Sequence, residues 1–400
     1  INGDQLYRKK VVQLRVRLAF QGRKHLRKLL CISGLAATAC GSDQPAASWR
    51  EAGSPRLEIA VSEHRTTCGG CLQLRERVRI APSGGPGVVD ESHYVARNSS
   101  GHVIVVRSSG HQVYDRNGAF LQIIGRAGSG PLEFALAGPM AIDAVGNIHF
   151  FDPALNRETV VDRNFRLLRE TTLALGVVYD AVAVGDGRTR FVNSVSMDPV
   201  KIGHTVHRID GDSVVASFGE PNDSAYSPAS VALQRQLAMH PSGHLVSVRR
   251  FEYVIEVFSP GGERRLLARR KGVWPQTAGD PAPVARGTTL NGYVQDVEVD
   301  SLGHVWVLSM EPRSDWERYA KDAVLPNGMK VLMPTPDAPP WWRSRLEVLD
   351  LDTGRVLASR VFEQQLWGFL GASQLYGYEY TSQGEPQLVI YGASISLPPS

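Results

Sequence analysis

The sequence predicts an all-β fold, a six-bladed β-propeller whose ring is closed by an N-terminal strand that completes the last blade. Three observations predict it. Short apolar strands alternate with tight polar turns, a glycine-centred turn recurs at blade spacing, and the last repeat lacks an outer strand. Each four-stranded repeat exposes apolar faces that only stacking into a ring can bury.

Residues 1–39 differ from the rest of the chain, with nine Lys or Arg residues and one acid. A basic stretch at 23–28 precedes an apolar stretch at 29–39. Because this apolar run is shorter than the ~18 residues that span a membrane, it predicts a signal peptide. A disordered basic arm is the alternative.

The residues before Cys40 read Ala-Thr-Ala, which resembles the cleavage site of bacterial lipoproteins. Ala37 stands where these sites usually carry Leu. We therefore expect lipid attachment at Cys40, with residues 40–56 as a tether rich in Gly, Ser, Pro and Ala. The predicted location is the cell envelope, periplasmic or at the outer membrane, with secretion as the alternative.

Removing residues 1–39 changes the charge of the chain. Basic residues fall from 44 to 35 and acidic residues from 40 to 39, so the formal charge goes from +4 to −4. A mildly acidic domain without a basic run argues against nucleic-acid binding.

Cys68 and Cys71 enclose two glycines and precede an alternating apolar stretch. In an exported protein this pair predicts a disulfide. A redox motif would place the first cysteine at a helix N-terminus, and a zinc site would need two further ligands nearby.

The repeats begin after residue 90. Each opens with two strands around a tight turn that contains a glycine, and the turn glycines are 41 to 60 residues apart, which is typical of propeller blades. These glycines are Gly101, Gly146, Gly187, Gly243 and Gly303.

A sixth repeat is incomplete. Strands at 375–380 and 387–391 lack an outer partner before the chain ends. Residues 72–80 form a strand followed by a Gly/Pro loop, as the outer strand of the first repeat does. We therefore expect 72–80 to close the ring within a propeller domain of residues 57–400, which removes free sheet edges.

The stretch from Val113 to Gly118, followed by the Gly/Pro-rich loop 125–134, resembles the repeat of NHL-type six-bladed propellers. It is similar to a group of exported bacterial six-bladed propeller proteins. The resemblance covers about residues 66–392, is strongest at 113–152, and implies fold and export rather than a reaction.

Long connections occur on one face only. The loops between second and third strands, and those between blades, share a face, and all the insertions fall there. Long loops tend to carry function, so this is the predicted working surface. The insertions are 125–138, 194–204, 219–231, 269–291 and 309–343.

Seven residues on these loops are candidate ligand contacts, because exposed aromatics and arginines suit carbohydrate, peptide or protein partners. They are Arg126, Glu133, Trp274, Trp316, Trp341, Trp342 and Arg343. The alternatives are structural: the tryptophans fold the 309–343 insertion onto the ring, and Arg126 and Glu133 fix their own loop. Residues 314–321 are predicted to form a short capped helix.

No nucleophile–base motif, phosphate-binding loop or zinc-protease motif occurs, so no catalytic residue is assigned.

Three turn histidines belong to different blades and cannot share a metal ion. Better metal candidates are His204, His207, Asp180 and Asp296, each also explained by structural hydrogen bonding. The histidines set aside are His102, His244 and His304.

These features predict an envelope-anchored, monomeric binding or scaffold protein that engages a protein, peptide or carbohydrate ligand on the insertion-rich face, without a cofactor. The alternative is a metal-dependent hydrolase or lyase, lactonase-like, using calcium or zinc at the mouth of the central channel.

Overall fold

The computed structural model describes the following residues: 57–61, 68, 70–81, 91–195, 204–219, 233–270, 284, 286–324, 328, 330–335, 338–371 and 373–396. This part of the chain is nearly all β, with a 3-10 helix at Trp316–Tyr319. The predicted signal peptide, Cys40 and the tether lie outside the described residues.

Two strands, β1 (Leu57–Val61) and β2 (Leu72–Ile80), precede the first three blades, each a four-stranded antiparallel sheet. The strands that follow are β3 (Val95–Arg97), β4 (Val103–Val105), β5 (His111–Tyr114) and β6 (Phe120–Ile124) in blade 1, β7 (Arg126–Ala127) and β8 (Glu133–Phe134) in the next loop, β9 (Met140–Ile142), β10 (Ile148–Asp152), β11 (Arg157–Val161) and β12 (Leu167–Thr172) in blade 2, and β13 (Val178–Val184), β14 (Thr189–Ser194), β15 (Val206–Asp210) and β16 (Ser213–Phe218) in blade 3.

Blades 4 to 6 complete the ring, and a hairpin projects from blade 5. Their strands are β17 (Arg235–Met239), β18 (Leu245–Arg249), β19 (Val254–Phe258) and β20 (Arg264–Arg270) in blade 4, β21 (Tyr293–Val299) and β22 (Val305–Pro312) in blade 5, β23 (Ala320–Val324) and β24 (Lys330–Pro334) in its hairpin, β25 (Trp342–Asp350) and β26 (Arg355–Phe362) in blade 5 again, and β27 (Leu366–Phe369), β28 (Gln374–Tyr380) and β29 (Pro386–Ile395) in blade 6.

The core is divided into six apolar clusters, one between each pair of neighbouring blades. Strand β4 shows why. Its side chains alternate, so Val103 and Val105 pack toward blade 6 while Ile104 packs toward blade 2. All three are fully buried, and each such side chain contributes ~1.5–3 kcal/mol. The predicted six-bladed propeller is confirmed.

The ring closes as predicted. Strand β2 pairs antiparallel with β29, from Leu72 opposite Ile395 to Ile80 opposite Leu388, and so becomes the outer strand of blade 6. Beside it Cys68 and Cys71 form a disulfide with Cα atoms 5.7 Å apart.

Strand β1 takes a place that the sequence did not indicate. It pairs parallel with β20, from Leu57 opposite Leu266 to Val61 opposite Arg270, and adds a fifth strand to blade 4. Because an uncovered outer strand presents free N–H and C=O groups, β1 protects the edge of this blade.

Tight turns form one face of the ring, which we call the turn face; the opposite side, which carries the insertions, is the loop face. On the turn face, Asp143 Oδ1 accepts hydrogen bonds from the N–H groups of Val145 (3.1 Å) and Asn147 (2.7 Å). Gly146 has φ +91°, a conformation that favours glycine. Local chemistry therefore fixes these turns.

Candidate functional site

The first strands of the blades line a central channel, since each contacts the next in the order β3, β9, β13, β17, β21 and β27. The loop face surrounds one mouth of this channel. Strand ends from six blades meet there, so side chains of several blades lie near one another at this mouth.

Arg250, directly after β18, lies at this mouth. Its Nη1 donates to Gln234 Oε1 (2.7 Å), and its guanidinium carbon is 4.9 Å from the ring centre of Tyr293 and 5.9 Å from that of Phe251. Its carbonyl accepts from the N–H of Val294 at 2.6 Å. Blades 4 and 5 thus hold one cation against two aromatic faces.

Across the mouth, the ring of His93 in blade 1 packs against that of Trp367 in blade 6, with ring centres 4.6 Å apart and the ring planes inclined at 39°. The Trp367 carbonyl accepts from Gln295 Nε2 (3.0 Å), and the His93 carbonyl accepts from the hydroxyl of Tyr376 (2.8 Å). Burial in the concave mouth lowers the pKa of His93, and the charge of Arg250 lowers it further. His93 is therefore neutral near pH 7.

Three carboxyl groups face the channel from the first strands of blades 3 and 5: Asp180, Asp296 and Glu298. Burial raises the pKa of Asp180 to about 7, and the charge of Glu298 adds to the rise. The pKa of Asp296 lies well above its usual value, through burial and then the charge of Asp180. Burial also raises the pKa of Glu298. Mutual repulsion and poor solvation thus favour their protonated forms.

Two of these carboxyl groups join neighbouring blades. Asp180 accepts from the N–H of Leu237 in blade 4 (2.6 Å), and Asp296 from that of Phe369 in blade 6 (2.7 Å). The innermost strand of a blade has no partner on its channel side, so its N–H groups need acceptors. These aspartates therefore serve as links between blades.

The insertion of blade 5 has a small apolar core of its own. Trp316 and Trp341 are 5% and 7% exposed and pack with Leu290 and Ala320. With so little exposed area, neither indole offers more than a minor surface to a ligand. The predicted capped helix is a shorter 3-10 helix, Trp316–Tyr319, and no side chain caps it with a hydrogen bond. It is short because the chain from Ala320 onward is extended in β23 and pairs with β24.

Trp342 connects this core to the channel mouth. Its ring lies 6.0 Å from that of Trp341 and 6.3 Å from that of Tyr293, and its Nε1 donates to the carbonyl of Asn291 (3.1 Å). Arg343 is half-buried and pairs with Glu311 at 3.1 Å. The insertion therefore supports the aromatic ring of Tyr293, against which the Arg250 guanidinium packs.

Arg126 and Glu133 lie in a different sector, the loop between blades 1 and 2. Glu133 Oε1 accepts from Arg126 Nε (2.7 Å), and Oε2 accepts from the N–H groups of Ser129 (2.9 Å) and Gly130 (2.7 Å). These hydrogen bonds fix the loop. The arginine side chain remains 79% exposed and available to a partner. Trp274 lies outside the described residues.

Among the histidines considered for metal binding, His207 and His304 have structural partners, whereas the buried Nδ1 of His204 has no hydrogen-bond partner among the described residues. His207 is fully buried, with Nδ1 2.9 Å from Ser217 Oγ and Nε2 3.3 Å from the carbonyl of Ser194. His304 pairs with Asp300 in its own turn (3.1 Å). Within the described ranges, no group of three or more His, Cys, Asp or Glu residues is placed to hold a metal ion. Among the same residues, no helix has the length and apolarity to cross a membrane.

The sequence did not single out the residues of the mouth. His93, Arg250, Tyr293 and Trp367 follow no motif and belong to four blades. Only their position, next to a first strand on the loop face, could have indicated them. The predicted candidates within the described part of the chain fall in two other sectors, the loop of Arg126 and the insertion of blade 5.

No protein-family model and no curated protein sequence matches the chain. Two solved structures of similar fold come from Bacteroides. A candidate exported protein from Bacteroides fragilis has a TM-score of 0.54 at 12% identity, covering 85% of this chain and 100% of its own. A member of the DUF4221 family from Bacteroides vulgatus has a TM-score of 0.56 at 12% identity, covering 82% and 99%.

Virginiamycin B lyase from Staphylococcus aureus also matches, with a TM-score of 0.43 at 11% identity, covering 80% of this chain and 99% of its own. At such identities the likeness to the Bacteroides structures shows the fold alone. The resemblance to NHL-type repeats stays a prediction.

Proposed function

We propose that the protein is an exported, non-enzymatic binding protein that captures a protein, peptide or carbohydrate ligand at the channel mouth of the loop face. One observation carries this proposal. Arg250 over Tyr293 and His93 against Trp367 bring two aromatic faces and a cation from four blades to the loop-face mouth of the channel.

These side chains suit a ligand with both flat and anionic parts. An aromatic face stacks on a sugar ring or a planar side chain, and a guanidinium pairs with a carboxylate or phosphate. The geometry is prearranged, because Gln234 holds Arg250 and Gln295 holds the backbone of Trp367. Prearranged contacts lose less entropy when a ligand binds.

Isothermal titration tests this proposal, using soluble peptidoglycan fragments, chito-oligosaccharides and a hexapeptide library as probes. Binding by the wild type should weaken more than about tenfold in Arg250→Ala and in Trp367→Ala, as expected for central contacts of ~1.4 kcal/mol or more. Tyr380→Ala, an exposed aromatic on the loop face, is the matched control. Equal affinity in all four proteins would place the site elsewhere.

Export and lipid anchoring belong to the same proposal. The basic and apolar stretch before Cys40 and the disulfide of Cys68 and Cys71, which suits an oxidising compartment, support it. Palmitate labelling of the wild type should be lost in Cys40→Ala. Labelling that persists in the variant would remove the anchor from the proposal while leaving export intact.

A metal-dependent hydrolase or lyase remains the second candidate, because Asp180, Asp296 and Glu298 lie on the first strands of blades 3 and 5 with raised pKa values. A calcium or zinc ion there would be held by at most two of them, since no group of three or more His, Cys, Asp or Glu among the described residues is placed to bind one. Elemental analysis of the purified protein and a screen of lactone and ester hydrolysis distinguish the two functions. Stoichiometric metal together with turnover that is lost in Asp180→Asn would favour the enzyme.

A further inference from the structure

Arg250 carries a positive charge at the channel mouth that no carboxylate in the described part of the chain neutralises. Its side chain contacts Gln234 Oε1 at 2.7 Å and the rings of Phe251 and Tyr293. Its Nε is buried and donates to no acceptor among the same residues. A half-buried guanidinium is poorly solvated, so this one is suited to pair with an anion that comes from outside the chain.

The neighbouring arginine shows that blade 4 pairs its other cations. Arg249 lies 3.1 Å from Glu252 and 3.1 Å from Glu256. Glu256 is also paired with the buried Arg235. The acids that lie close to Arg250 in sequence are therefore already paired with other arginines.

His93, across the mouth, also lacks a polar partner for its ring. The imidazole is exposed and packs against Trp367, and neither ring nitrogen makes a hydrogen bond to a described residue. The surrounding protein lowers the pKa of His93, and the charge of Arg250 lowers it further. Two groups that repel each other when both are charged thus lie at one mouth, and no described acid compensates them.

Few other titratable groups lie around His93. Burial raises the pKa values of two tyrosine hydroxyls and of one channel carboxyl, which favours their protonated forms. A glutamate and an arginine of blade 1 act on one of these tyrosines. Among these groups, Arg250 is the one whose charge acts on the pKa of His93. The groups are Arg250, Arg107, Glu91, Asp296, Tyr376 and Tyr378.

We propose that the channel mouth binds a carboxylate of its ligand at Arg250, and that His93 gains a proton as this carboxylate binds. The carboxylate pairs with the guanidinium, and a flat group beside it packs on Trp367. This inference rests on the proposed ligand site and adds the chemistry of the ligand and the pH dependence of its capture.

The coupling between the two sites follows from charge. A carboxylate on Arg250 weakens the positive field that disfavours the charged imidazole, so the pKa of His93 is higher in the complex than in the free protein. By linkage, affinity rises as pH falls from above the pKa in the complex to below the pKa in the free protein. The ligand is therefore captured more tightly in mildly acidic surroundings and released as pH rises.

Benzoate is a minimal probe, with one flat ring and one carboxylate, and benzamide is its neutral match. The full chain, isotopically labelled at histidine Cε1, is titrated with acid by NMR, alone and with about 50 mM of either probe at equal ionic strength. The signal of His93 is the one absent from His93→Gln. Benzoate should move its titration midpoint to higher pH, and benzamide should not. Equal movement with both probes, or no movement with benzoate, would overturn the proposal.

Calorimetry with benzoate measures the linkage itself. Because benzoate stays ionised above about pH 5, a binding affinity at least about threefold higher at pH 5.5 than at pH 8 would come from the protein. His93→Gln should bind equally at both pH values, and Arg250→Gln should bind about tenfold more weakly than the wild type. Dependence on pH that persists in His93→Gln would overturn the proposal.

The control variant is Asp180→Asn, because the pKa of Asp180 is about 7 and its carboxyl titrates in the same range. This variant should keep the pH dependence of benzoate binding. Loss of that dependence would assign it to the channel carboxyl and overturn the role of His93. Inorganic phosphate is the comparison anion, and a larger movement of the His93 midpoint with phosphate than with benzoate would overturn the choice of a carboxylate.

These outcomes separate the inference from the proposed function. If benzoate binds without proton uptake while chito-oligosaccharide or peptide binding still depends on Trp367, the binding function stands and the coupling falls. If benzoate binding is coupled to His93 while none of those larger probes binds, the carboxylate site stands and the ligand classes of the proposed function fall.

Discussion

On both faces of the ring, aspartate carboxylates accept hydrogen bonds from backbone N–H groups, but the sequence separation between donor and acceptor differs greatly. On the turn face, Asp143 and Asp300 accept from N–H groups two and four residues ahead. At the channel, Asp180 and Asp296 accept from N–H groups 57 and 73 residues away. A turn can therefore form within one blade, whereas the channel and its mouth form only when blades assemble.

The largest effect is expected on the loop face, from Trp341→Ala. The indole is buried among Leu290, Trp316 and Ala320, and its Nε1 donates to the Tyr319 carbonyl at 3.3 Å. Removing a buried Trp side chain costs ~3–5 kcal/mol. The insertion should open locally, and hydrogen exchange in β23 and β24 should become fast while the blades stay protected.

The matched control is Val324→Ala, in the same hairpin but 67% exposed, which should leave exchange unchanged. If Trp341→Ala instead lowered protection in all six blades, the insertion would be part of the ring core. The loop face would then depend on the assembly of the blades even more than these contacts indicate, in contrast to the locally formed turns.

A smaller effect is expected on the turn face, from Asp300→Ala. The carboxyl group accepts from the N–H groups of Leu302 and His304, both at 2.9 Å, and from Trp306 Nε1 at 3.0 Å. Losing a turn cap of this kind costs ~1–2 kcal/mol. Urea unfolding should show this loss, with partial recovery in Asp300→Asn, which keeps one acceptor oxygen. A larger loss would mean that turns also depend on assembly.

The same difference explains what could be predicted from the sequence. Asp143 and Gly146 belong to a short motif, so the turns, the blade number and the strand that closes the ring were all predictable. Arg250 and Trp367 meet only through the ring, and no local pattern marks them. The pairing of strand β1 with β20 likewise follows from tertiary contacts alone.

The channel carboxyl groups make stability depend on pH. The raised pKa of Asp180, about 7, means that the folded state holds a proton that the unfolded state releases near pH 4. The contribution of Asp180 is thus present at low pH and is lost as pH rises from about 4 to 7, at up to ~1.4 kcal/mol per pH unit. The pKa of Asp296 is also raised well above its usual value, by burial and then by the charge of Asp180, so its contribution is likewise lost as pH rises.

His111, buried between blades 1 and 2, changes the pH dependence of stability in the opposite direction. Burial lowers the pKa of His111 to about 3, so its contribution is lost as pH falls below about 6.5. Between pH 6.5 and 8 the remaining rise from His111 is the smaller of the two changes, so wild-type stability should decline with pH. The decline should be smaller in Asp180→Asn and steeper in His111→Phe. Chemical denaturation at each pH measures these slopes, and a rise in wild-type stability would contradict the raised carboxyl pKa values.

The smallest effect is expected in the loop around Glu133, which lies on the loop face but is held by hydrogen bonds between near neighbours in sequence, as the tight turns are. Glu133 accepts from the N–H groups of Ser129 and Gly130, only a few residues away, and Gly128 has φ +149° against its carboxylate. Glu133→Gln keeps an acceptor oxygen and loses only a solvent-exposed pairing with Arg126, so the melting midpoint should move by no more than about 1 °C. Titration with the channel-mouth probes should be unchanged if the loop is structural alone. A loss of affinity in Glu133→Gln at unchanged midpoint, matched by Arg126→Ala, would instead make this loop part of the ligand site and extend the working surface from the mouth to blades 1 and 2.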